Sequence, residues 1–377
     1  MRSIKRIPTL KGVPVLVRAA LNVPVENGVV ANTFRLRQAL PTIEYLQKKG
    51  AKVILAGHIT GNGTESLAPM YEAMKKFIPL LEFSPITVGK EARDAVRNMK
   101  PGDVLMLENL RRYKGEEAND PHFAASIAEL ADVFVQDCFD VCHRAHASVV
   151  GVAGLLPSYA GFLVEEEVKQ LKRALKPKRP ALAIIGGAKF STKEPVLMAL
   201  LEDYEHVFVG GALANDFIQA KGCSVGASLV SDAPRDEIAG ILANPELIIP
   251  TGVVVASPDA RASEGRAVLI SQVASDEAML DVGPASIEAL QPLIKKAKTI
   301  LWNGPLGRYE NGFTAGTFAL AKAITESRAH TILGGGDTVA ALDSLGLTPK
   351  FSFVSTGGGA MLDFLAKGSL PGIDALG

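Results

Sequence analysis

Two glycine-rich stretches near the C-terminus carry the clearest chemical signal in this 377-residue chain. Each begins with an apolar, β-prone run, breaks at three consecutive glycines (334–336 and 357–359), and continues with the apolar spacing of a helix. Such a turn exposes backbone N–H groups and the positive end of a helix to an anion, and glycine lets a phosphate approach closely. Asp337, at the mouth of the first turn, could hold Mg2+ on such phosphates. Together the two turns predict a nucleotide site.

A second set of candidate residues is cationic and lies in the N-terminal half of the chain. Each member comes at or just after the end of a predicted strand, or where a loop enters a helix: Arg35, His58, Arg111, Arg144 and His146. In an open α/β sheet these edges converge on one crevice. Because guanidinium groups match carboxylates and phosphates bidentately, the set suits a small, highly anionic metabolite. Any one of these side chains alone would more simply be a solvated surface charge.

Two other kinds of site fit the spacing less well. Cys138, Cys142, His143 and His146 are zinc-type ligands close together in sequence, but Cys142 and His143 are adjacent and would point apart in a regular element. A buried pair of thiols beside a substrate-loop histidine is the simpler interpretation. Neither glycine stretch reads Gly-x-Gly-x-x-Gly with an acidic residue following, so a nicotinamide-dependent oxidoreductase is a weak alternative.

The composition limits the partners and the compartment that we expect. The chain has 40 basic and 40 acidic residues, so its formal net charge gives no general attraction to nucleic acid or anionic membranes. Three cysteines form no disulfide framework and fit a reducing cytosol. No apolar run approaches the roughly 20 residues of a membrane span, and no secretory signal is evident. We therefore expect a soluble, cytoplasmic protein.

The elements that must position these residues alternate along the chain. Continuous apolar runs at 13–17, 51–55, 103–107 and 133–135 are separated by amphipathic segments such as 37–47. Unbroken apolar strands are typical of parallel sheets covered on both faces. A polar helix is predicted over 161–175, and the proline-punctuated segment 176–180 ends it. The pattern predicts an α/β protein of two Rossmann-like domains with parallel sheets, joined by a helical hinge.

The order of several motifs resembles the phosphoglycerate kinase family along nearly the whole chain. The matching segments are 17–24 (VRAALNVP), 107–111 (LENLR), 143–146 (HRAH), 186–189 (GGAK), 302–305 (WNGP) and the two glycine stretches. The resemblance implies a phosphoglycerate-binding domain over residues 1–158, an interdomain helix and hinge over 159–178, and a nucleotide-binding domain over 179–365. It also implies that the tail, residues 366–377, packs back on the first domain.

The resemblance also implies roles for individual residues. Residues that match the family's phosphoglycerate contacts are Asn22, Arg35, His58, Arg111 and Arg144. Residues that match its nucleotide contacts are Lys189, Lys193, Gly211, Asn303, Pro305, Glu310, Gly335, Gly336, Asp337 and Thr338. Phosphoryl transfer would rely on Arg35, Lys189 and the helix end at Gly358 and Gly359, with Asp337 as the ligand of Mg2+.

Two positions depart from the family pattern in the substrate half. Ala20 stands where the family motif Arg-x-Asp-x-Asn has its acid, and Gly61 stands where Ser-His-Leu-Gly-Arg-Pro has its arginine. Each loss removes a charge-assisted hydrogen bond worth about 1.5–3 kcal/mol. Weaker substrate binding is therefore expected, while the nucleotide half matches the family throughout.

The resemblance implies a reversible phosphoryl transfer between 1,3-bisphosphoglycerate and ADP, giving 3-phosphoglycerate and ATP in glycolysis and gluconeogenesis. Mg2+ would accompany the nucleotide, and we expect a monomer without nucleic-acid or membrane partners. The departures at Ala20 and Gly61 leave an alternative open. In that alternative the chain is a nucleotide-binding paralogue with impaired or altered acyl-phosphate specificity.

Overall fold

The computed structural model describes all 377 residues, and its chain divides into two compact units. The first unit comprises residues 1–169 and 369–377, and the second comprises residues 170–368. Each unit is built around a six-stranded sheet in which every neighbouring pair of strands is parallel. The predicted α/β class with two parallel sheets is therefore confirmed. No helix is long and apolar enough to cross a membrane.

Eight short strands belong to the first unit. They are β1 Pro14–Ala19, β2 Val25–Glu26, β3 Val29–Val30, β4 Lys52–Ala56, β5 Leu81–Phe83, β6 Val104–Met106, β7 Val133–Asp137 and β8 Ser158–Ala160. The helices are α1 Phe34–Lys48, α2 Ala68–Lys75, α3 Lys90–Asn98, α4 Lys114–Glu117, α5 Pro121–Ala128 and α6 Phe162–Leu175. Helix α6 crosses the division between the units, and β2 pairs with β3 as a separate antiparallel ribbon.

The main sheet of the first unit has the strand order β5-β6-β4-β1-β7-β8. Strands β1 and β7 are buried almost along their whole length, as the unbroken apolar runs predict for strands covered on both faces. The carboxyl ends of β1, β4, β6 and β7 lead directly into the segments that carry Asn22, His58, Arg111 and Arg144. Parallel pairing thus gathers these segments at one edge of the sheet.

The second unit holds the remaining strands and most of the remaining helices. The strands are β9 Ala181–Ile185, β10 His206–Val209, β11 Leu247–Ile248, β12 Gly252–Ala256, β13 Arg266–Leu269, β14 Ala278–Val282, β15 Thr299–Asn303, β16 His330–Gly334 and β17 Phe353–Val354. The helices are α7 Phe190–Asp203, α8 Leu213–Ala220, α9 Arg235–Leu242, α10 Pro284–Lys296, α11 Ala315–Thr325, α12 Gly336–Asp343 and α13 Gly359–Lys367.

Two sheets organise this unit. The parallel sheet has the order β11-β10-β9-β15-β16-β17, and a three-stranded antiparallel sheet has the order β13-β12-β14. The antiparallel sheet was not predicted, because the apolar run of β12 looks locally like the parallel strands.

The C-terminal tail belongs to the first unit. Its last helix, α14 Pro371–Asp374, contacts the loop that precedes Arg144, where the Gly372 N–H donates to the carbonyl of Cys142 at 2.8 Å. A Cβ on Gly372 would lie 2.7 Å from Val149 and 3.0 Å from the Cys142 Cα, so only glycine allows this approach. The Met1 amino group donates to the carbonyl of Gly377, which ties the two chain ends together.

Candidate active site

Both glycine turns of the second unit have the predicted strand–turn–helix form. Strand β16 ends at Gly334, Gly335 adopts a φ of 96°, and α12 begins at Gly336. In the second turn Gly358 has a φ of 53° and α13 begins at Gly359. A positive φ strains any residue with a Cβ, which explains the glycine at both positions. Each turn thus leads into the positive end of a helix.

A cavity of about 620 Å³ lies beside the first of these turns, within the second unit. Among the predicted nucleotide residues, those that line it are Gly211, Pro305, Glu310 and Asp337. Its volume is typical of small-molecule sites, which usually measure 300–1,000 Å³. The other predicted nucleotide residues are not part of its lining; they are Lys189, Lys193, Asn303, Gly335, Gly336 and Thr338.

One wall of this cavity is apolar and was not recognised in the sequence. It is formed by residues of α8, of the segment that follows α8, and of the antiparallel sheet: Ile218, Leu229, Val253, Met279 and Leu280. A cavity lined by these apolar residues and by Asp337 could take a ligand with a flat apolar part. No local motif marks these residues, and three of them, Val253, Met279 and Leu280, come together only through the pairing of β12 with β14.

The same wall contains Asp281, a buried acid that holds a helix in place. Its carboxylate accepts the N–H groups of Gly316, in the first turn of α11, at 2.9 Å and of Val282 at 2.8 Å. Burial raises the pKa of Asp281 to about 6, against the two hydrogen bonds that lower it. Asp281 therefore supports the cavity and is not one of the predicted nucleotide ligands.

Lys193 is a buried cation of the second unit. Its side chain, only 9% exposed, projects from α7, and Nζ donates to Asn303 Oδ1 at 2.7 Å. Burial lowers the pKa of Lys193 to about 8, and the nearby charge of Asp337 opposes that shift. Lys189, at the N-cap of the same helix, is exposed. The structure thus brings Lys193 into contact with Asn303 and within reach of the charge of Asp337.

The residues around Asp337 fit a magnesium–nucleotide ligand. Nowhere in the chain do three or more His, Cys, Asp or Glu side chains gather to hold a metal ion by themselves. Mg2+ in nucleotide sites is commonly held by one or two carboxylates together with the phosphates. Asp337 is an exposed carboxylate on the cavity, and the neighbouring Thr338 Oγ1 is buried without a hydrogen-bond partner. Both groups could therefore serve such a ligand.

In the first unit, a buried arginine orients His58. Arg18 is 1% exposed, and its guanidinium donates to Ser148 Oγ at 2.8 Å and contacts His58 Nδ1 at 2.9 Å. Burial lowers the pKa of His58 well below its usual value, and the charges of Arg18, Arg111 and Arg144 act in the same direction. His58 is therefore neutral, and because Arg18 can only donate, Nε2 carries the imidazole proton.

Arg111, Arg144 and His146 surround this histidine. The charges of all three lower the pKa of His58. The charges of Arg111 and Arg144 also act to lower the pKa of His146. Arg111 Nη1 donates to Thr60 Oγ1 at 3.0 Å, and its Nε pairs with Glu117 at 3.1 Å. Burial lowers the pKa of Arg111, with Glu117 opposing that shift. Four of the five predicted residues, His58, Arg111, Arg144 and His146, therefore lie in one cluster.

Arg35 lies beside a carboxylate that the sequence did not single out. Its Nη1 donates to the carbonyl of Asn22 at 3.1 Å and lies 3.6 Å from Asp140 Oδ2. Asn22 Oδ1 accepts the Thr60 N–H at 3.1 Å, which connects Arg35 to the loop that holds Arg111. Asn22, Arg35 and Arg111 are thus joined through short contacts that pass through Thr60.

The two positions that depart from the family pattern are both filled by neighbours. Ala20 is fully buried in an apolar cluster with Cys138, Val141, Val149 and Leu163. At Gly61, a Cβ would lie 2.0 Å from the carboxyl carbon of Glu65. Glu65 accepts the N–H groups of Asn62 at 2.7 Å and Gly63 at 2.9 Å, so its side chain closes over Gly61.

The two cysteines of the possible zinc set are buried, as the thiol-pair interpretation predicts. Cys138 Sγ donates to Asp140 Oδ1 at 2.9 Å, and Cys142 Sγ donates to the Cys138 carbonyl at 3.4 Å. Burial, reinforced by the charge of Asp140, raises the pKa of both thiols well above the usual value. Both therefore carry their protons at neutral pH and act as packing groups.

Comparisons with known proteins agree over nearly the full chain. A family model described as phosphoglycerate kinase matches residues 4–368. Phosphoglycerate kinases from Pelotomaculum thermopropionicum and Thermus thermophilus are 42% and 43% identical to this chain, over 97% of both proteins in each case. Among solved structures, the phosphoglycerate kinase from Coxiella burnetii is similar with a TM-score of 0.86 and 38% identity, covering 99% of this chain and 98% of its own. The enzyme from Pyrococcus horikoshii gives a TM-score of 0.90 at 29% identity, covering 100% and 98%.

Proposed function

The chain belongs to the phosphoglycerate kinase family, and we propose that it transfers a phosphoryl group reversibly between 1,3-bisphosphoglycerate and ADP, giving 3-phosphoglycerate and ATP. The observation that carries this proposal is the family match, which extends over both units of the chain. The chain is a phosphotransferase with a carboxyl group as acceptor. Nothing in the comparisons favours a nucleotide-binding paralogue without this activity.

We propose that the cavity of the second unit binds ADP or ATP. Its apolar wall around Val253 and Met279 would take the base, and Glu310 would accept from the ribose hydroxyls. The phosphates would lie toward Asp337 and the glycine turn at 334–336, with Lys193 balancing their charge. Mg2+ held by Asp337 would shield the phosphates and help to neutralise the charge that develops on them.

We propose that the cluster in the first unit binds phosphoglycerate. Arg111 and Arg144 match its anionic groups, and neutral His58 donates a hydrogen bond through Nε2. Because His58 stays neutral, its contribution to binding should change little with pH above its lowered pKa. Glu117 partly neutralises Arg111, and position 61 offers no cation. We therefore expect substrate binding weaker by about one charge-assisted contact, or roughly tenfold to a hundredfold.

Positioning and charge neutralisation are sufficient for this reaction. An acyl phosphate is an activated donor and a carboxylate is a competent nucleophile, so neither a covalent intermediate nor a general base is needed. We propose that Arg35 and Lys189 neutralise the transferring group. The N-terminus of α13, at Gly358 and Gly359, adds partial positive charge without a side chain.

We also propose a cytoplasmic location, a monomeric state and no nucleic-acid or membrane partner. Free thiols at all three cysteines and a formal net charge of zero support the compartment and the absence of polyanion binding. Light scattering after gel filtration would test the monomer, for which a mass near 39.8 kDa is expected.

A coupled assay with 3-phosphoglycerate and Mg-ATP tests the proposed activity. Wild type should turn over at high phosphoglycerate concentration, and Arg35→Ala should lower kcat/KM by about a hundredfold. Arg37→Ala is the matched control, because Arg37 lies two residues further along α1, is exposed, and stacks on Phe77. Nucleotide binding without any turnover, even at saturating phosphoglycerate, would favour the paralogue instead.

A further inference from the structure

The end of strand β1 offers no acid to a substrate in this chain. Ala20 is fully buried and packs against Cys138 and Val141, so its surroundings are apolar. A phosphoglycerate bound nearby carries a hydroxyl beside its carboxylate. That hydroxyl needs an acceptor, because leaving a polar group unpaired on binding is costly.

Asp140 places a carboxylate next to this position. It lies in the single-turn helix Phe139–Val141, between two residues of the cluster that encloses Ala20. Its Oδ1 accepts the Cys138 thiol at 2.9 Å, which holds the carboxylate against that cluster. The side chain is 8% exposed, so it has few alternative orientations.

The other carboxylate oxygen faces the proposed substrate residues. Asp140 Oδ2 lies 3.6 Å from Arg35 Nη1, which is an ion pair but longer than a hydrogen bond. Arg35 in turn contacts the carbonyl of Asn22, the residue two positions after Ala20. An ionised carboxylate offers only acceptor atoms, so Oδ2 can receive a hydrogen bond from a hydroxyl.

We propose that Asp140 supplies the hydroxyl-accepting carboxylate that position 20 lacks, and that it selects substrates with a hydroxyl beside the carboxylate. This inference rests on the proposed function and adds a specificity residue to it. The same carboxylate sits beside Arg35, so the substrate's own carboxylate meets a partly neutralised guanidinium. Asp140 thus favours the hydroxyl and weakens general attraction for anions.

The test compares two acceptors that differ by one hydroxyl. These are 3-phosphoglycerate and 3-phosphonooxypropanoate, which keeps the phosphate and the carboxylate. With Mg-ATP, wild type should prefer the hydroxylated acceptor in kcat/KM by about tenfold to a hundredfold, as expected for one hydrogen bond to a charged group. Asp140→Ala should reduce this preference to less than about threefold and leave the KM for ATP unchanged.

Two further variants keep the test interpretable. Asp140→Asn retains an acceptor oxygen without the charge and should show an intermediate preference; it also decides the question if the alanine variant fails to fold. Glu117→Gln removes a different carboxylate from a site arginine, Arg111, and should leave the preference unchanged.

The outcomes separate this inference from the proposed function. An undiminished preference in both Asp140 variants, or equal use of the two acceptors by wild type, would overturn the inference while the kinase activity stands. So would a gain in kcat/KM for both acceptors alike in Asp140→Ala, because Asp140 would then only repel anions. Turnover of neither acceptor by folded wild type would overturn the proposed function itself.

Discussion

The protonation of Lys193 should control nucleotide binding above neutral pH. Burial lowers the pKa of Lys193 to about 8, against an ordinary value of 10.5, and Asp337 opposes this shift. The ammonium is therefore mostly charged at pH 7 and mostly neutral at pH 9 in the free protein. A bound diphosphate should stabilise the charged form and raise the pKa again.

The size of the change in the nucleotide Kd with pH follows from the linkage between binding and the protonation of Lys193. If the bound nucleotide keeps Lys193 charged, the Kd grows with the fraction of neutral lysine in the free protein. It should be nearly constant below pH 7 and rise about tenfold between pH 7 and pH 9. Phosphate groups have their second pKa near 6, so ADP itself contributes little over this range.

Isothermal titration calorimetry of ADP, with EDTA present, measures this effect without a divalent cation near Asp337. Titrations at pH 9 in two buffers of different ionisation enthalpy should reveal uptake of most of a proton. Lys193→Met should bind more weakly at pH 7 and lose the pH dependence. Lys189→Met removes the exposed lysine of the same helix and should retain it. A wild-type Kd that is flat from pH 7 to pH 9 would refute the reasoning.

Three further predictions concern stability, substrate binding and the metal. Burial raises the pKa of Asp137 to about 7 from 3.8, so the folded protein binds a proton that the unfolded chain releases. The free energy of unfolding of wild type should therefore fall as the pH rises from about 4 to 7, by up to about 4 kcal/mol. In calorimetry, the Tm of Asp137→Asn should therefore rise relative to that of wild type as the pH increases over this range. A Tm difference that does not change with pH would contradict this prediction. Gly61→Arg alone should lower the Tm, because its Cβ displaces the Glu65 carboxylate from the N–H groups of Asn62 and Gly63. Gly61→Arg with Glu65→Ala should lower the KM for 3-phosphoglycerate about tenfold. An unchanged KM would mean that position 61 faces away from the substrate. Asp337→Ala should weaken the binding of Mg-ADP about tenfold or more, but it should not weaken the binding of ADP in the presence of EDTA. Equal losses of affinity in both conditions would show that Asp337 is not the metal ligand.

The local sequence was sufficient for the fold class and for the form of the two glycine turns. The turns at Gly335 and Gly358 could be predicted because an apolar run, a glycine with positive φ and a helix are consecutive in the chain. Parallel sheets could be predicted because strands covered on both faces need unbroken apolar runs. The cationic cluster around His58 could also be predicted, since its members follow strands whose ends meet at one sheet edge.

Contacts between distant segments could be decided only by the tertiary structure. Nothing near Arg35 in sequence indicates that Asp140 lies beside it. The apolar wall of the cavity likewise depends on the antiparallel pairing of β12 with β14, although β12 alone reads like a parallel strand. The physical reason is common to both cases. Residue type and spacing determine what a side chain can do, whereas the packing of remote segments determines which charges and surfaces it meets.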